Sequence, residues 1–200
     1  MSEEKVFVDP RKQALLGLGI MDETPLETIE RVFTSKNNEY GDSWCKRGEL
    51  AFVASMARKV DRLKTCTPGT VGAFDTKLDL VAYLALYNIM LVNKWGGWVM
   101  PVDVSFRQFL RGADNARGKF RGLLDSMLIA QIMADYAIFY KAAVINEVKT
   151  DPLGYWEGTF GVKYSDVTDM NLPDVDARDT LNKAWVLYCR EHAYIKALCE

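Results

Sequence analysis

The residues best suited to chemistry begin with two carboxylates one helical turn apart. Asp75 and Asp79 lie in FDTKLDLVAYL at positions i and i+4, which places both on one face of a helix. Carboxylates this close repel each other, and a divalent cation would relieve the repulsion. Mg²⁺ prefers oxygen ligands and commonly joins carboxylates to phosphates. The spacing therefore indicates either a Mg²⁺ site or a helix N-terminus, where the helix dipole alone favours acidic residues.

Two segments before this pair supply further charged and aromatic groups. The stretch KNNEYGDSW, residues 36–44, crowds two carboxylates and two large aromatic rings around Gly41, where a helix ends. Its carboxylates and that of Glu49 are oxygen donors that could complete a metal site. Lys59 and Arg62, three residues apart on the next helix, are placed to meet phosphate oxygens. A solvated helix face explains the same two cations without a ligand.

Helical periodicity dominates the elements that must position these residues, and the alternation typical of strands is nearly absent. Thr24 and Pro25 form a helix start, and Gly41 ends that helix. Further helices are predicted at 48–64, 74–94, 104–112, 115–149 and 175–198, with a long loop or small hairpin at 151–174. Gly118 and Gly122 mark where the helix at 115–149 could kink. The predicted fold is an all-α helical bundle. Residues 1–100 form the region of the site, and residues 101–200 form a helical extension packed on it in one compact unit.

Composition excludes several classes of protein. The chain of 200 residues is 49% hydrophobic with a net charge of −2, so it can bury a core and lacks the basic excess of a nucleic-acid binder. The single histidine and the absence of paired cysteine spacing argue against a zinc site. The charged N-terminus indicates no signal peptide, and the apolar run 80–92 is too short to span a bilayer. We therefore predict a cytoplasmic protein without a membrane segment.

The second half contains two further surfaces that could bind a partner. The segment 107–121 is rich in arginine and lysine, which suits phosphate or nucleic acid but is equally typical of a solvated helix junction. The apolar helix that follows has a broad hydrophobic surface, which suits the core together with part of an oligomer interface.

Three motifs occur in order between residues 24 and 93. They are KNxEYGDSW (36–44), MxxKxxRL (56–63) and DTxxDLxxY (75–83). Together they resemble the nucleotide modification associated domain found in many phage proteins, which is similar to the MazG-like all-α nucleoside triphosphate pyrophosphatases. The resemblance implies a dimeric or tetrameric bundle that uses Mg²⁺, or Mn²⁺, to hydrolyse a (deoxy)nucleoside triphosphate to a monophosphate and pyrophosphate. A phage-encoded enzyme of this kind would act in the host cytoplasm.

The resemblance also implies roles for individual residues. Its catalytic positions correspond to Glu49, Asp75 and Asp79. The metal ligands correspond to these three residues together with Glu39. The positions that would bind the nucleotide correspond to Lys36, Tyr40, Trp44, Lys59 and Arg62.

Two departures from the pattern keep other functions open. Arg58 stands where the related sequences have an acidic residue, and Phe52 stands where a second glutamate would complete an ExxE motif with Glu49. A site short of a carboxylate could bind a nucleotide without cleaving it. The alternatives are therefore a non-catalytic nucleotide-binding relative with a degenerate metal site, and a helical interaction protein that inhibits a host factor.

Overall fold

The computed structural model describes residues 9–44, 46, 48–94, 101–150 and 172–200, with only the backbone described for Tyr40, Asp42 and Lys94. These residues form seven α-helices and no strand, which confirms the all-α prediction. The helices are α1 (Pro10–Leu16), α2 (Pro25–Tyr40), α3 (Gly48–Arg62), α4 (Val71–Lys94), α5 (Val102–Ala116), α6 (Asp125–Thr150) and α7 (Ala177–Cys199). Two 3₁₀ turns, Gly41–Trp44 and Arg117–Phe120, follow α2 and α5.

The start and end of α2 are set by its sequence. The Thr24 hydroxyl accepts a hydrogen bond from the backbone N–H of Glu27, and the Glu27 carboxylate accepts one from the backbone N–H of Thr24, which forms a capping box. Pro25 occupies the first turn, where no backbone donor is needed. Gly41 ends the helix with a φ of 55°, a conformation that disfavours side chains with a Cβ atom. The predicted bounds of α2 are confirmed.

The next two helices form an antiparallel hairpin. Helix α4 begins at Val71, three residues earlier than predicted, because the Thr70 hydroxyl accepts a hydrogen bond from the Ala73 N–H and caps the helix. The C-terminal part of α3 contacts the first turns of α4, whereas its N-terminal part contacts the later turns. This direction of packing decides which predicted site residues can meet.

The prediction of one long helix over 115–149 is wrong. Helix α5 ends at Ala116, and α6 begins only at Asp125, after a 3₁₀ turn. The guanidinium of Arg190 on α7 donates hydrogen bonds to the Asp125 carboxylate and to backbone carbonyls within the break, those of Phe120, Arg121 and Leu123. Carbonyls in a continuous helix would be engaged by the N–H groups one turn later, so this side chain stabilises the interruption.

Helices α4 and α7 form the centre of the fold. They pack against each other, and α7 also packs against α5 and α6. Most of α4 is buried, as predicted for its apolar run, and α7 buries Trp185 and Tyr188 almost completely. Apolar residues from both halves of the chain share one hydrophobic core. The predicted final helix at 175–198 is confirmed as α7.

Helix α6 is long and apolar enough to cross a membrane by length and composition alone, with a mean hydropathy of 1.5 over its most apolar stretch. Core helices of soluble proteins meet the same criterion, and α6 packs against α3 and α7. The absence of a membrane segment therefore stays a prediction. The loop or hairpin predicted at 151–174 lies, except for 172–174, outside the described residues.

Candidate functional site

A cavity of about 430 Å³ opens between α2, α3, α4 and the 3₁₀ turn that follows α2. Its walls are mainly aliphatic and aromatic, with Ile29, Phe33, Trp44, Phe52, Leu78 and Tyr83 among them. Polar atoms come from a few side chains, which include Lys36, Asn37, Ser43, Ser55 and Asp79. Its size and largely apolar lining, with a few converging polar groups, are typical of small-molecule sites.

An ion-paired cluster from three helices lies at one edge of this cavity. The Nζ atom of Lys36 on α2 is 2.8 Å from Oδ1 of Asp79 on α4. The Nζ atom of Lys59 on α3 is 2.5 Å from Oδ2 of the same carboxylate and 3.3 Å from Oδ2 of Asp75. The Lys36 side chain is 49% exposed, whereas those of Lys59 and Asp79 are 18% and 15% exposed. The cluster therefore connects the cavity wall to solvent.

The environment of Lys59 keeps its side chain protonated. Burial lowers the pKa of Lys59, but the hydrogen bonds and negative charges of Asp79 and Asp75 together outweigh burial. The net pKa of Lys59 therefore lies above its ordinary value. Between two carboxylates, the ammonium group occupies the position that a metal ion would take in the predicted site.

The aromatic side chains form a connected wall. The ring of Trp44 packs edge-on against Phe52, with 5.9 Å between centroids, and Phe52 packs edge-on against Tyr83 at 5.6 Å. Among the buried side-chain polar atoms of the described residues, the indole Nε1 of Trp44 is the one without a hydrogen-bond partner. Phe33 closes the α2 side and stacks its ring on Phe106 of α5, with 3.8 Å between centroids. Rings held in this way offer flat apolar surfaces without large losses of side-chain entropy.

Five of the predicted site residues are brought together here. Lys36, Trp44 and Asp79 line the cavity. Lys59 joins them through Asp79, and Asp75 joins through Lys59. The sequence motifs thus converge in space, because the end of α2, the later turns of α3 and the first turns of α4 meet at one end of the hairpin.

Glu49 is not part of this cluster. Its carboxylate accepts hydrogen bonds from the Tyr87 hydroxyl at 3.1 Å and from the Asn146 side-chain amide at 3.0 Å. Burial, followed by the charge of Glu49, raises the pKa of Tyr87 above its ordinary value. In an antiparallel hairpin the start of α3 faces the end of α4, so Glu49 and Asp75 lie at opposite ends. Ten residues of helix, about 15 Å, separate Glu49 from Lys59 along α3.

The remaining predicted residues either lie away from the cavity or have side chains that the structure does not describe. Glu39 and Arg62 are exposed and do not line the cavity. The side chains of Tyr40 and Asp42 lie outside the described residues. In the part of the chain that is described, no three Asp, Glu, His or Cys side chains are grouped to hold a metal ion. The four-carboxylate site of Glu39, Glu49, Asp75 and Asp79 is therefore not assembled, and Mg²⁺ or Mn²⁺ binding stays a prediction.

The sequence patterns did not single out Phe33 or Ser55 as site residues, and they marked Phe52 only as the position where a second glutamate is missing, yet all three line the cavity. The helical spacing contained a signal, because Ser55 lies four residues before Lys59, and Tyr83 lies four residues after Asp79. At this spacing, Ser55 lies on the same helix face as Lys59, and Tyr83 lies on the same helix face as Asp79.

The basic segment 107–121 lies away from the cavity lining. The Arg107 guanidinium pairs with Glu30 on α2 at 3.0 Å, and Arg117 lies 3.9 Å from Asp114. These pairs suit the solvated helix junction. Binding of phosphate or nucleic acid by this segment stays a prediction.

Comparisons with profiles of known protein families, with curated protein sequences and with solved structures find no match to this chain. Functional inference therefore depends on the geometry of the cavity and its ion-paired cluster.

Proposed function

We propose that this chain binds a nucleoside phosphate in the cavity between α2, α3 and α4, with lysine side chains meeting the phosphates. The observation that supports this best is the position of Lys36 and Lys59 at the edge of an aromatic cavity. A nucleotide matches this arrangement, because it has a flat base at one end for the aromatic cavity and a multiply charged phosphate group at the other end for the lysines. The proposal corresponds to the nucleotide-binding alternative with a degenerate metal site.

The base fits the apolar part of the cavity. Bases stack readily on aromatic side chains, and each such stack is worth about 1–3 kcal/mol. Trp44, Phe52 and Tyr83 supply the rings, and Asn37 and Ser43 supply polar atoms that could hydrogen-bond to the sugar or the base edge. A cavity of about 430 Å³ is within the usual range for ligands of this size.

The charges favour direct contact between lysine and phosphate over a metal bridge. Lys59 lies between Asp75 and Asp79, so a metal ion that used both carboxylates would have to displace its ammonium group. Lysine binds phosphate as a point charge and needs no metal. The resemblance implies hydrolysis to a monophosphate and pyrophosphate. Hydrolysis with a metal ion on both carboxylates would require this displacement of Lys59, and the experiment below distinguishes hydrolysis from binding alone.

The test is calorimetric titration with nucleoside mono-, di- and triphosphates of each common base, first with EDTA and then with excess Mg²⁺. The same mixtures are assayed for released pyrophosphate. We expect binding of at least one nucleotide in EDTA. We also expect Lys59→Gln or Lys36→Gln to weaken it about tenfold or more, because each variant removes a charge-assisted contact.

Arg107→Gln is the matched control, because it removes one positive charge from α5 in an ion pair outside the cavity. Its affinity should equal that of the wild type. Pyrophosphate release that depends on Mg²⁺ would favour the hydrolase instead. Failure of every nucleotide to bind under both conditions would overturn the proposal and favour the helical interaction protein.

A further inference from the structure

Among the described residues, Asp79 is the carboxylate that lines the cavity, and both of its oxygens are engaged by lysines. Oδ1 accepts from Lys36 at 2.8 Å, and Oδ2 accepts from Lys59 at 2.5 Å. The two ammonium groups come from different helices, α2 and α3, and converge on this single anion from α4. The carboxylate therefore occupies the position between two cations that a bound phosphate group would need.

Charge balance makes the carboxylate and a phosphate competitors. In this cluster, the charges of Lys36 and Lys59 are balanced by those of Asp75 and Asp79. A phosphate that approached this cluster without displacing a carboxylate would bring further negative charge within a few ångströms of Asp79. At a separation of about 4 Å, two like charges repel several times more strongly near a protein surface than in bulk water.

We propose that the Asp79 carboxylate is an internal competitor that sets the affinity of this site for anions. A phosphate binds by displacing this carboxylate from Lys36 and Lys59. The inference deepens the proposed function and rests on it. It gives Asp79 a role opposite to that of a metal ligand. A metal-binding aspartate helps a phosphate to bind, whereas a competing aspartate hinders it.

The exposure of the two lysines allows such an exchange. Lys36 is half exposed, and its flexible side chain can turn from Asp79 to a ligand without disturbing the core. Lys59 is less exposed but also contacts Asp75 at 3.3 Å, so it keeps one carboxylate partner when Asp79 is displaced. Asp79 itself is 15% exposed and can be solvated through the open edge of the cavity. No buried charge needs to be left unpaired during the exchange.

The experiment measures the affinity for inorganic pyrophosphate by titration calorimetry in EDTA, for the wild type and Asp79→Asn. We expect Asp79→Asn to bind pyrophosphate about tenfold more tightly, because the competing charge is gone while both lysines remain. The double variant Asp79→Asn/Lys59→Gln should lose this gain. Asp75→Asn, which removes only the longer contact to Lys59, should show a smaller gain of about two- to threefold.

Two controls separate competition from a general change in charge or folding. Asp179→Asn removes one negative charge from a pair with Lys183 on α7, outside the cavity lining, and should leave the affinity unchanged. An uncharged nucleoside should bind Asp79→Asn and the wild type equally, because it does not compete for the lysines. A thermal melt of each variant establishes that it is folded.

The outcomes distinguish this inference from the proposed function. If the wild type binds nucleotides but Asp79→Asn binds pyrophosphate equally or more weakly, competition by Asp79 is overturned and the proposed function stands. A gain that persists without Lys59 also overturns it. If neither the wild type nor Asp79→Asn binds pyrophosphate or any nucleotide, the proposed function itself fails. Tighter binding by Asp79→Asn that requires Lys59 supports both.

Discussion

Lys77 and Asp79 of helix α4 are ion-paired side chains that are only two residues apart but lie in different surroundings. Lys77 pairs with Glu191 of α7 at 2.5 Å, and the two side chains are 5% and 1% exposed. The other oxygen of Glu191 accepts a hydrogen bond from the backbone N–H of Gly69 at 2.7 Å. Asp79 pairs with lysines that border a cavity and reach solvent.

The comparison separates two uses of charge within one fold. Each oxygen of the buried Glu191 carboxylate accepts a hydrogen bond, one from Lys77 and one from the Gly69 N–H. Neither Lys77 nor Glu191 lines a cavity among the described residues. The pair therefore serves to connect α4 to α7. Around Asp79 the same kind of contact lies beside open volume, where a ligand can replace a partner. Ion pairing alone therefore does not indicate function. The cavity beside the pair makes the difference.

Breaking the buried pair should have the largest effect. Lys77→Met leaves the Glu191 carboxylate buried without a counter-charge, which should lower the free energy of unfolding by about 3–5 kcal/mol. Urea denaturation measures the loss. The double variant Lys77→Met/Glu191→Gln removes the unpaired charge and keeps an oxygen for the Gly69 N–H, so it should regain most of the stability. Equal losses in the single and double variants would contradict this view.

The second effect concerns His192, which directly follows Glu191 on α7. Its ring nitrogen lies 3.2 Å from the Thr28 hydroxyl, and the side chain is 2% exposed. Burial, assisted by the positive charge of Lys196, lowers the pKa of His192 from about 6.5 to about 4. His192 is thus protonated below about pH 6.5 in the unfolded chain but only below about pH 4 in the folded chain. Stability should fall by about 3 kcal/mol as the pH falls through this interval.

Two measurements check this prediction. His192 is the single histidine of the chain, so NMR titration of its ring gives the folded pKa without ambiguity. In urea denaturation, His192→Gln should lose the pH dependence between about 6.5 and 4.5. Glu23 and Glu27 have lowered pKa values, so their contribution to stability is lost only as the pH falls below about 4.5, and the range above that value reports on His192. A folded pKa near 6.5 would show that His192 is not held neutral by burial.

The smallest effect on stability should come from the cavity. Lys59→Gln should lower the free energy of unfolding by about 1 kcal/mol or less, because partly exposed ion pairs contribute little and Asp79 keeps Lys36. The same variant should show the large loss of nucleotide affinity given above. Urea denaturation beside calorimetry shows whether the two effects separate. A loss of several kcal/mol would place Lys59 with the structural pair around Lys77 instead.

The sequence predicted the helices whose limits depend on local chemistry. The capping box of Thr24 and Glu27 and the glycine at position 41 are short-range signals, and α2 has the expected bounds. Gly118 and Gly122 indicated a kink near the break between α5 and α6, but a complete interruption could not be predicted in this way, because the side chain that stabilises it, Arg190, is far away in the chain. A tertiary contact there overrides a continuous helical pattern.

The site was predictable to a similar extent. The i and i+4 spacing correctly placed Asp75 and Asp79 together, and the three motifs converge on them. Glu49 was expected to join, but periodicity indicates only the face of a helix on which a residue lies. The position along a neighbouring helix depends on the direction and register of packing, which helical spacing does not specify. The same limit applies to Lys59, whose place between two carboxylates follows from tertiary packing.

The packing of α4 against α7 also bears on how the protein is made. During synthesis, α4 is complete about 80 residues before α7 begins. At a translation rate of about 5–20 residues per second, the apolar surface of α4 stays uncovered by α7 for roughly 4–16 s. Until α7 is made, a nascent chain therefore exposes this core surface to chaperones and to other chains. Slower translation between these helices would increase aggregation, even though the finished protein would be identical.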